Sequence, residues 1–184
     1  MRFEMVPLEE HKKAKHEAWE EAEDIQDRIR RLEKVASKYP EYMVPYSDMA
    51  TSYLEMGDVD RAVEKYQGII NLKEKFDFVW DNHLGIAYLF TGNIQKAIKT
   101  LEKSRVHSYD QGLFLALAYL KRGDKEKFEE KFDKWISECM EEYNELPYQF
   151  RYQRYIDALF GEEESRFIDE IWDKYLDYYR QMAL

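Results

Sequence analysis

One short motif occurs three times in this chain, and it constrains the fold more than any other sequence feature. The motif is Tyr-Leu-x-x-Gly followed by Asp or Asn, and it spans residues 53–58, 88–93 and 119–124. Its glycines are 35 and then 31 residues apart. Periods of this length are typical of helix–turn–helix units that stack on one another. The spacing therefore predicts an all-α chain, an α-solenoid of stacked antiparallel helical hairpins.

The residues around the first motif indicate how one hairpin would form. Apolar residues fall at helical spacing before Gly57 and again after Asp58. Gly57 can adopt the left-handed conformation that ends a helix, and Asp58 can accept the free amide hydrogens of the next helix start. Small residues recur where the two helices of a hairpin would cross: Ala50 with Ala62, and Gly85 with Ala97.

These residues resemble the tetratricopeptide repeat, a helical hairpin of about 34 residues. The first unit, about 43–76, carries the family positions as Tyr46, Met49, Ala50, Tyr53, Gly57, Ala62 and Tyr66. The second, about 78–108, carries them as Leu84, Gly85, Tyr88, Gly92, Ala97 and Leu101. The third, about 109–143, carries them as Leu115, Ala116, Tyr119, Gly123 and Phe132. Phe128 stands where the family has Ala, which predicts a wider or shifted third hairpin. The resemblance implies a right-handed superhelix.

The flanking segments are also predicted to be helical. Residues 8–39 carry one apolar stripe and read as a single long helix, either an N-terminal cap or a degenerate first hairpin. At the other end, Pro147 and Gly161 bracket the first helix of a further hairpin. We expect one domain over 1–184. It has an N-terminal capping helix in 1–42, three repeats in 43–143 and a C-terminal capping hairpin in 144–184.

The resemblance also implies a concave groove, lined by fixed positions of the first helix in each repeat. Carried over, the first repeat offers Val44, Ser47, Thr51, Leu54 and Glu55. The second offers Val79, Asn82, Ile86, Leu89 and Phe90, and the third offers Asp110, Leu113, Leu117, Leu120 and Lys121. His83, which follows Asp81 and Asn82, is added as a candidate ligand contact at the same place. The family's Lys and Asn clamp for acidic peptide termini is absent, because Ser47 and Thr51 occupy two of its places. We therefore expect a mostly apolar groove.

The run Leu113–Leu120 is apolar on every face, so we expect it to be buried on every face. Large exposed apolar patches are rare on monomers, so something should cover this helix. Three elements are candidates to cover it: the C-terminal hairpin, the N-terminal helix, or another chain.

Composition and motifs exclude several classes of function. The net charge of −10 argues against nucleic acid as a partner, and the lone Cys139 excludes a disulfide framework. The amino terminus does not read as a signal peptide, and the longest apolar run is too short for a bilayer. His11, His16, His83 and His107 form no metal-ligand pattern, and no nucleophile–base set appears. We expect no metal, no cofactor, no catalysis and a cytoplasmic location.

Two functions remain after these exclusions. The first is a non-catalytic protein-interaction module or scaffold, which binds a helical or extended peptide in the groove. The second is a self-associating assembly subunit whose groove is filled by its own terminal helices. Repeat packing does not explain a group of aromatic residues at the carboxy end. They lie from Tyr148 to Tyr155 and at Tyr178 and Tyr179. This aromatic C-terminal hairpin is where a homodimer contact is predicted.

Overall fold

In a computed structural model, the residues described are 8–75, 81–104, 110–143 and 149–182. They form ten α-helices and no β-strand. The helices in chain order are α1 (Leu8–Trp19), α2 (Ile25–Lys38), α3 (Val44–Glu55), α4 (Val59–Lys75), α5 (Asp81–Phe90), α6 (Ile94–Lys103), α7 (Gln111–Lys121), α8 (Lys125–Tyr143), α9 (Gln149–Leu159) and α10 (Glu162–Met182). The all-α prediction is confirmed.

The chain divides into two compact units, Met1–Val106 and His107–Leu184. In the first unit each helix packs on the next one along the chain, from α1 to α6. In the second unit α7 packs on α8. The predicted hairpins are therefore present as α3–α4, α5–α6 and α7–α8, while the predicted domain boundaries stay predictions.

The repeated motif forms the same turn in all three hairpins. Gly57, Gly92 and Gly123 have φ angles of 74°, 77° and 86°, as predicted for left-handed helix ends. In the first hairpin the Asp58 amide donates to the Tyr53 carbonyl (2.9 Å) and the Gly57 amide donates to the Leu54 carbonyl (3.0 Å). The equivalent two bonds close the other turns. The motif spacing thus places the Tyr and Leu carbonyls where the turn needs acceptors.

The residue after each glycine directly precedes the second helix of its hairpin. Its side chain caps that helix in two of the three hairpins. Asp58 accepts from the Arg61 amide (3.2 Å) and Asp124 accepts from the Lys127 amide (3.1 Å), which confirms the cap predicted at Asp58. Asn93 instead donates to Thr91 and makes no side-chain cap. The middle turn therefore depends on its backbone hydrogen bonds.

The predicted single helix over 8–39 is wrong, because the chain breaks between α1 and α2. Asp24 has an extended backbone and accepts a hydrogen bond from the Asp27 amide (2.7 Å). Asp27 in turn accepts from the amide of Glu23, the residue before the cap (3.4 Å), so hydrogen bonds to both carboxylates fix the start of α2. Since α1 packs on α2, this segment is the degenerate hairpin that the sequence left open.

Small residues let the helices of the first unit approach closely. Ala50, Ala62 and Ala97 are fully buried. At Gly85 an added Cβ would lie 2.5 Å from Leu101 Cγ, so α5 and α6 meet there with no room for a side chain. Gly85 thus faces a residue one turn beyond the predicted Ala97.

Aromatic rings build the core of the second unit. Phe128 is fully buried, and its ring lies 5.2 Å from Phe132 and 5.7 Å from Phe167. Trp135 of α8 lies 6.2 Å from Trp172 of α10. The large ring of Phe128 therefore packs the third hairpin against α10.

Candidate functional site

The predicted groove residues of α3 divide into accessible and buried side chains. Ser47 and Thr51 are half-buried. Val44 and Leu54 are buried in the core. Glu55 is only 17% exposed and forms an ion pair. On this helix Ser47 and Thr51 are the predicted groove residues that stay partly accessible and belong neither to the core nor to the Glu55 ion pair.

The predicted groove residues of α5 are also mostly buried. Leu89 and Phe90 belong to the core, and Asn82 is a buried polar residue. His83 and Ile86 are half-buried. Val79 lies outside the described residues.

The three predicted groove leucines of α7 are covered. Leu113, Leu117 and Leu120 are all 4% exposed or less, and Lys121 is exposed. This confirms that the run 113–120 is buried, although Leu115 is half-buried.

The last predicted groove position of each repeat joins its hairpin to a neighbouring helix. Glu55 of α3 pairs with Arg28 of α2 at 2.5 Å. Phe90 of α5 stacks on Tyr66 of α4, with ring centroids 4.6 Å apart. Lys121 of α7 donates to the carbonyl oxygen of Leu159, which ends α9. Sequence reasoning missed this joining role, although the position is marked: it directly follows Tyr-Leu in every motif.

The Glu55 contact belongs to a small polar network between the first three helices. The Arg28 guanidinium lies 4.1 Å from the centre of the Trp19 ring. The Trp19 Nε1 donates to Asp48 Oδ2 at 3.2 Å. Both charged groups of the Arg28–Glu55 pair are less than 20% exposed, so the pair is screened less than a surface pair. The network holds α1 and α2 against α3.

Burial also fixes the protonation of a phenol near α3. Burial raises the pKa of Tyr42 far above its usual value, and the charge of Asp48 adds to the shift. Tyr42 is therefore neutral throughout the physiological range. A buried phenol of this kind contributes packing rather than charge to the surface beside α3.

Within the second unit, α9 lies along α7. The Tyr152 hydroxyl donates to Asp110 Oδ1 at 2.7 Å, just before α7 begins. The Tyr155 ring meets Phe114 edge to face at 5.1 Å. Of the three covers left open for the apolar run, the C-terminal hairpin is seen to pack there. Tyr152 and Tyr155 are thereby used inside the molecule, whereas Tyr178 is 55% exposed. Tyr148 lies outside the described residues.

In the described ranges, no group of three or more His, Cys, Asp or Glu side chains is placed to hold a metal ion. No described helix combines the length and the apolar character needed to cross a bilayer. Cys139 is buried, as its apolar surroundings in the sequence predict.

Family models match two of the hairpins. A model described as tetratricopeptide repeat matches residues 48–72, which lie on α3 and α4. A second model with the same description matches residues 82–104, on α5 and α6. No curated protein sequence matches the chain.

Three solved structures are similar in fold. A crystal structure of MamA is 20% identical, with 98% of this chain and 99% of that chain covered and a TM-score of 0.47. A putative kinesin light chain with tetratricopeptide-like repeats from Podospora anserina is 17% identical, with 92% and 94% covered and a TM-score of 0.46. BtubC from P. vanneervenii is 17% identical, with 74% and 65% covered and a TM-score of 0.44.

Proposed function

We propose, from the premise that this chain is a tetratricopeptide-repeat protein, that it is a non-catalytic scaffold which binds a helical or extended peptide of a protein partner. The binding surface is the part of the predicted groove that the structure leaves accessible on α3 and α5. It consists of Ser47, Thr51, His83 and Ile86, all of which are half-buried. We also propose that the partner is not nucleic acid, given the net charge of −10.

The observation that carries this proposal is the combination of rigid hairpins and accessible side chains at predicted groove positions. Three closed turns and tight crossings such as Gly85 hold the helices in place. Helices held in this way present their side chains with little loss of conformational freedom on binding. Half-buried Ile86 can supply an apolar contact, and the hydroxyl of half-buried Ser47 can supply a hydrogen bond to a peptide backbone.

Site-specific photo-crosslinking tests the proposal. A photoreactive phenylalanine replaces Thr51 or Ile86 in the predicted groove, and a control variant carries it at Gln67 on the exposed side of α4. After crosslinking in the source cell, we expect the two groove variants to capture the same protein and the control not to. Capture of the same proteins from all three positions, or from none, would contradict the groove assignment.

Phe90 is unsuitable for such a test. Its ring is 8% exposed and stacks on Tyr66, so Phe90→Ala would remove a core contact as well as any contact to a partner. Ile86→Ala removes less buried surface, and its matched control is Ile94→Ala, another half-buried isoleucine, on α6. We expect partner binding to fall in the first variant and to persist in the second.

A second function is favoured by the packing of α9 on α7. In this alternative the chain is a self-associating subunit whose third-repeat groove is filled by its own C-terminal hairpin. The contacts of Tyr152 and Tyr155 support the filled groove. A homodimer through the aromatic C-terminal hairpin would then use Tyr178, which is exposed.

Light scattering at rising protein concentration distinguishes the alternative. A dimer that resists high salt and is lost in Tyr178→Ser would support it, because apolar contacts are not screened by ions. A monomer at every concentration would contradict it and leave the peptide-binding scaffold.

A further inference from the structure

The exposed side of α6 carries three lysines and no carboxylate between them. Lys96, Lys99 and Lys103 are all exposed, and at 100° per residue they occupy the centre of the side opposite Ala97, Ile98 and Leu101. We call these three residues the lysine face. Glu102 lies at its edge.

The charges of the lysine face are not paired with carboxylates of the described residues. None of the three lysines forms an ion pair with a residue in the described ranges, and Lys96 lies 5.5 Å above the Tyr88 ring. Three lysines of α8 differ. On α8, Lys127 and Lys131 pair with Glu130, and Lys134 pairs with Glu138.

The exposed side of α10 has the opposite charge at the same spacing. Glu170, Asp173 and Asp177 are exposed and follow one another at intervals of three and four residues. Lys96, Lys99 and Lys103 follow the same intervals in the same direction. We call the three carboxylates the acid face. Exposed Arg166 lies in line with this face one turn before Glu170, and exposed Lys174 lies at its edge. In both helices the first and third charges are separated by about 10 Å along the axis.

We propose that the lysine face of one copy docks against the acid face of α10 in a second copy, with the two helices parallel. Lys96 then meets Glu170, Lys99 meets Asp173 and Lys103 meets Asp177. A partner helix that carries carboxylates at these intervals is what the lysine face fits. In this chain α10 supplies one such set, and Glu126, Glu129 and Asp133 of α8 repeat the intervals. This contact is independent of the peptide-binding surface on α3 and α5.

The two faces are different surfaces of the same chain, so the contact joins copies head to tail. Such a heterologous contact leaves one lysine face and one acid face unused in a pair, and further copies add until a ring closes or a filament grows. Because the pairs are exposed, the association is weak and strongly reduced by salt. The contact thus predicts assembly at high local concentration rather than a tight dimer.

Sedimentation velocity tests this proposal with two neutralised variants of the full chain. One carries Lys96→Gln, Lys99→Gln and Lys103→Gln; the other carries Glu170→Gln, Asp173→Asn and Asp177→Asn. A control carries Lys127→Gln, Lys131→Gln and Lys134→Gln, which removes the same charge from a surface where lysines are already paired. All substituted residues are exposed, apart from half-buried Lys131, and circular dichroism checks that each variant folds.

In low salt we expect the unmodified chain and the control to form species larger than a dimer. In about 0.5 M salt the association constant should be at least about tenfold lower. Each neutralised variant alone should be monomeric. Mixed one to one, the two variants should form a dimer and nothing larger, because each retains one intact face.

Several outcomes would overturn the proposal. These are a monomeric unmodified chain in low salt, unchanged association of either neutralised variant, or a mixture that stays monomeric. Binding of polyglutamate to a monomeric chain, lost in the lysine variant, would indicate a foreign acidic partner instead. Association that resists salt and is lost in Tyr178→Ser would assign self-contact to the aromatic hairpin.

Discussion

The three motif glycines adopt their left-handed conformation in open space. A Cβ added at Gly57, Gly92 or Gly123 would meet no atom within 4 Å outside its own neighbours. A substitution there therefore introduces backbone strain with no side-chain clash. This property allows the conformational cost of the turn to be measured by itself.

Gly57→Val should lower the free energy of unfolding by about 1–2 kcal/mol, because a β-branched residue resists the left-handed region. Gly57→Asn is the matched control, since Asn enters that region more readily and should cost less. Urea denaturation followed by circular dichroism measures both. Equal stabilities of the two variants would show that the turn does not depend on the conformation of residue 57.

Gly85 is constrained by space instead. Its added Cβ would lie 2.5 Å from Leu101 Cγ, and Leu101 is fully buried. We expect Gly85→Ala to destabilise the protein by about 1–3 kcal/mol through overpacking. In a Leu101→Ala background the same change should cost much less, and a double-mutant cycle measures the difference. Additive costs would mean that the two residues do not clash.

At the scale of elements, the hydrogen bond from Tyr152 to Asp110 attaches α9 to the start of α7. Tyr152→Phe should lower the free energy of unfolding by about 1–2 kcal/mol, because it removes the hydrogen bond that the Tyr152 hydroxyl donates to the Asp110 carboxylate. Tyr178→Phe, at an exposed position, should change stability by less than about 0.5 kcal/mol. Chemical denaturation compares the two, and similar losses would count against the attachment.

The hairpins could be predicted from sequence because their turns depend on local residues. The positions of Tyr53, Leu54 and Gly57 are enough to set the two hydrogen bonds of the first turn. The break before α2 was missed because the apolar stripe continues in phase across it. Asp24 and Asp27, three residues apart as in a reciprocal helix cap, were the local signal of that break.

The accessibility of the predicted groove could not be obtained from the same pattern. Whether Leu113 is exposed depends on Tyr152 and Ile156, which lie about 40 residues further along the chain and line the same small apolar cavity. Sequence periodicity specifies which side of a helix is apolar but not which other helix covers it. The assignment of the binding surface to Ser47, Thr51, His83 and Ile86 therefore combines the family resemblance with burial.

At the scale of the whole molecule, the two compact units suggest independent folding. In repeat proteins each unit contacts its neighbours in sequence, so a fragment that keeps whole hairpins keeps its contacts. We expect the fragment 1–106 to be helical and to unfold cooperatively in denaturant, with lower stability than the full chain. A fragment without a cooperative transition would show that the first unit depends on the second.

In each repeat the motif residues form the turn, whereas the residue that follows Tyr-Leu contacts a neighbouring helix. This separation has a consequence for how such repeats evolve. The two hydrogen bonds of each turn join the Tyr and Leu carbonyls to the amides of Gly and the residue after it, so the side chain that follows Tyr-Leu is free to change. In this chain the position carries a carboxylate, a ring and an ammonium group in turn, as Glu55, Phe90 and Lys121, and each reaches a different neighbour. A hairpin of this kind could be duplicated and moved, and one substitution could then match it to new surroundings.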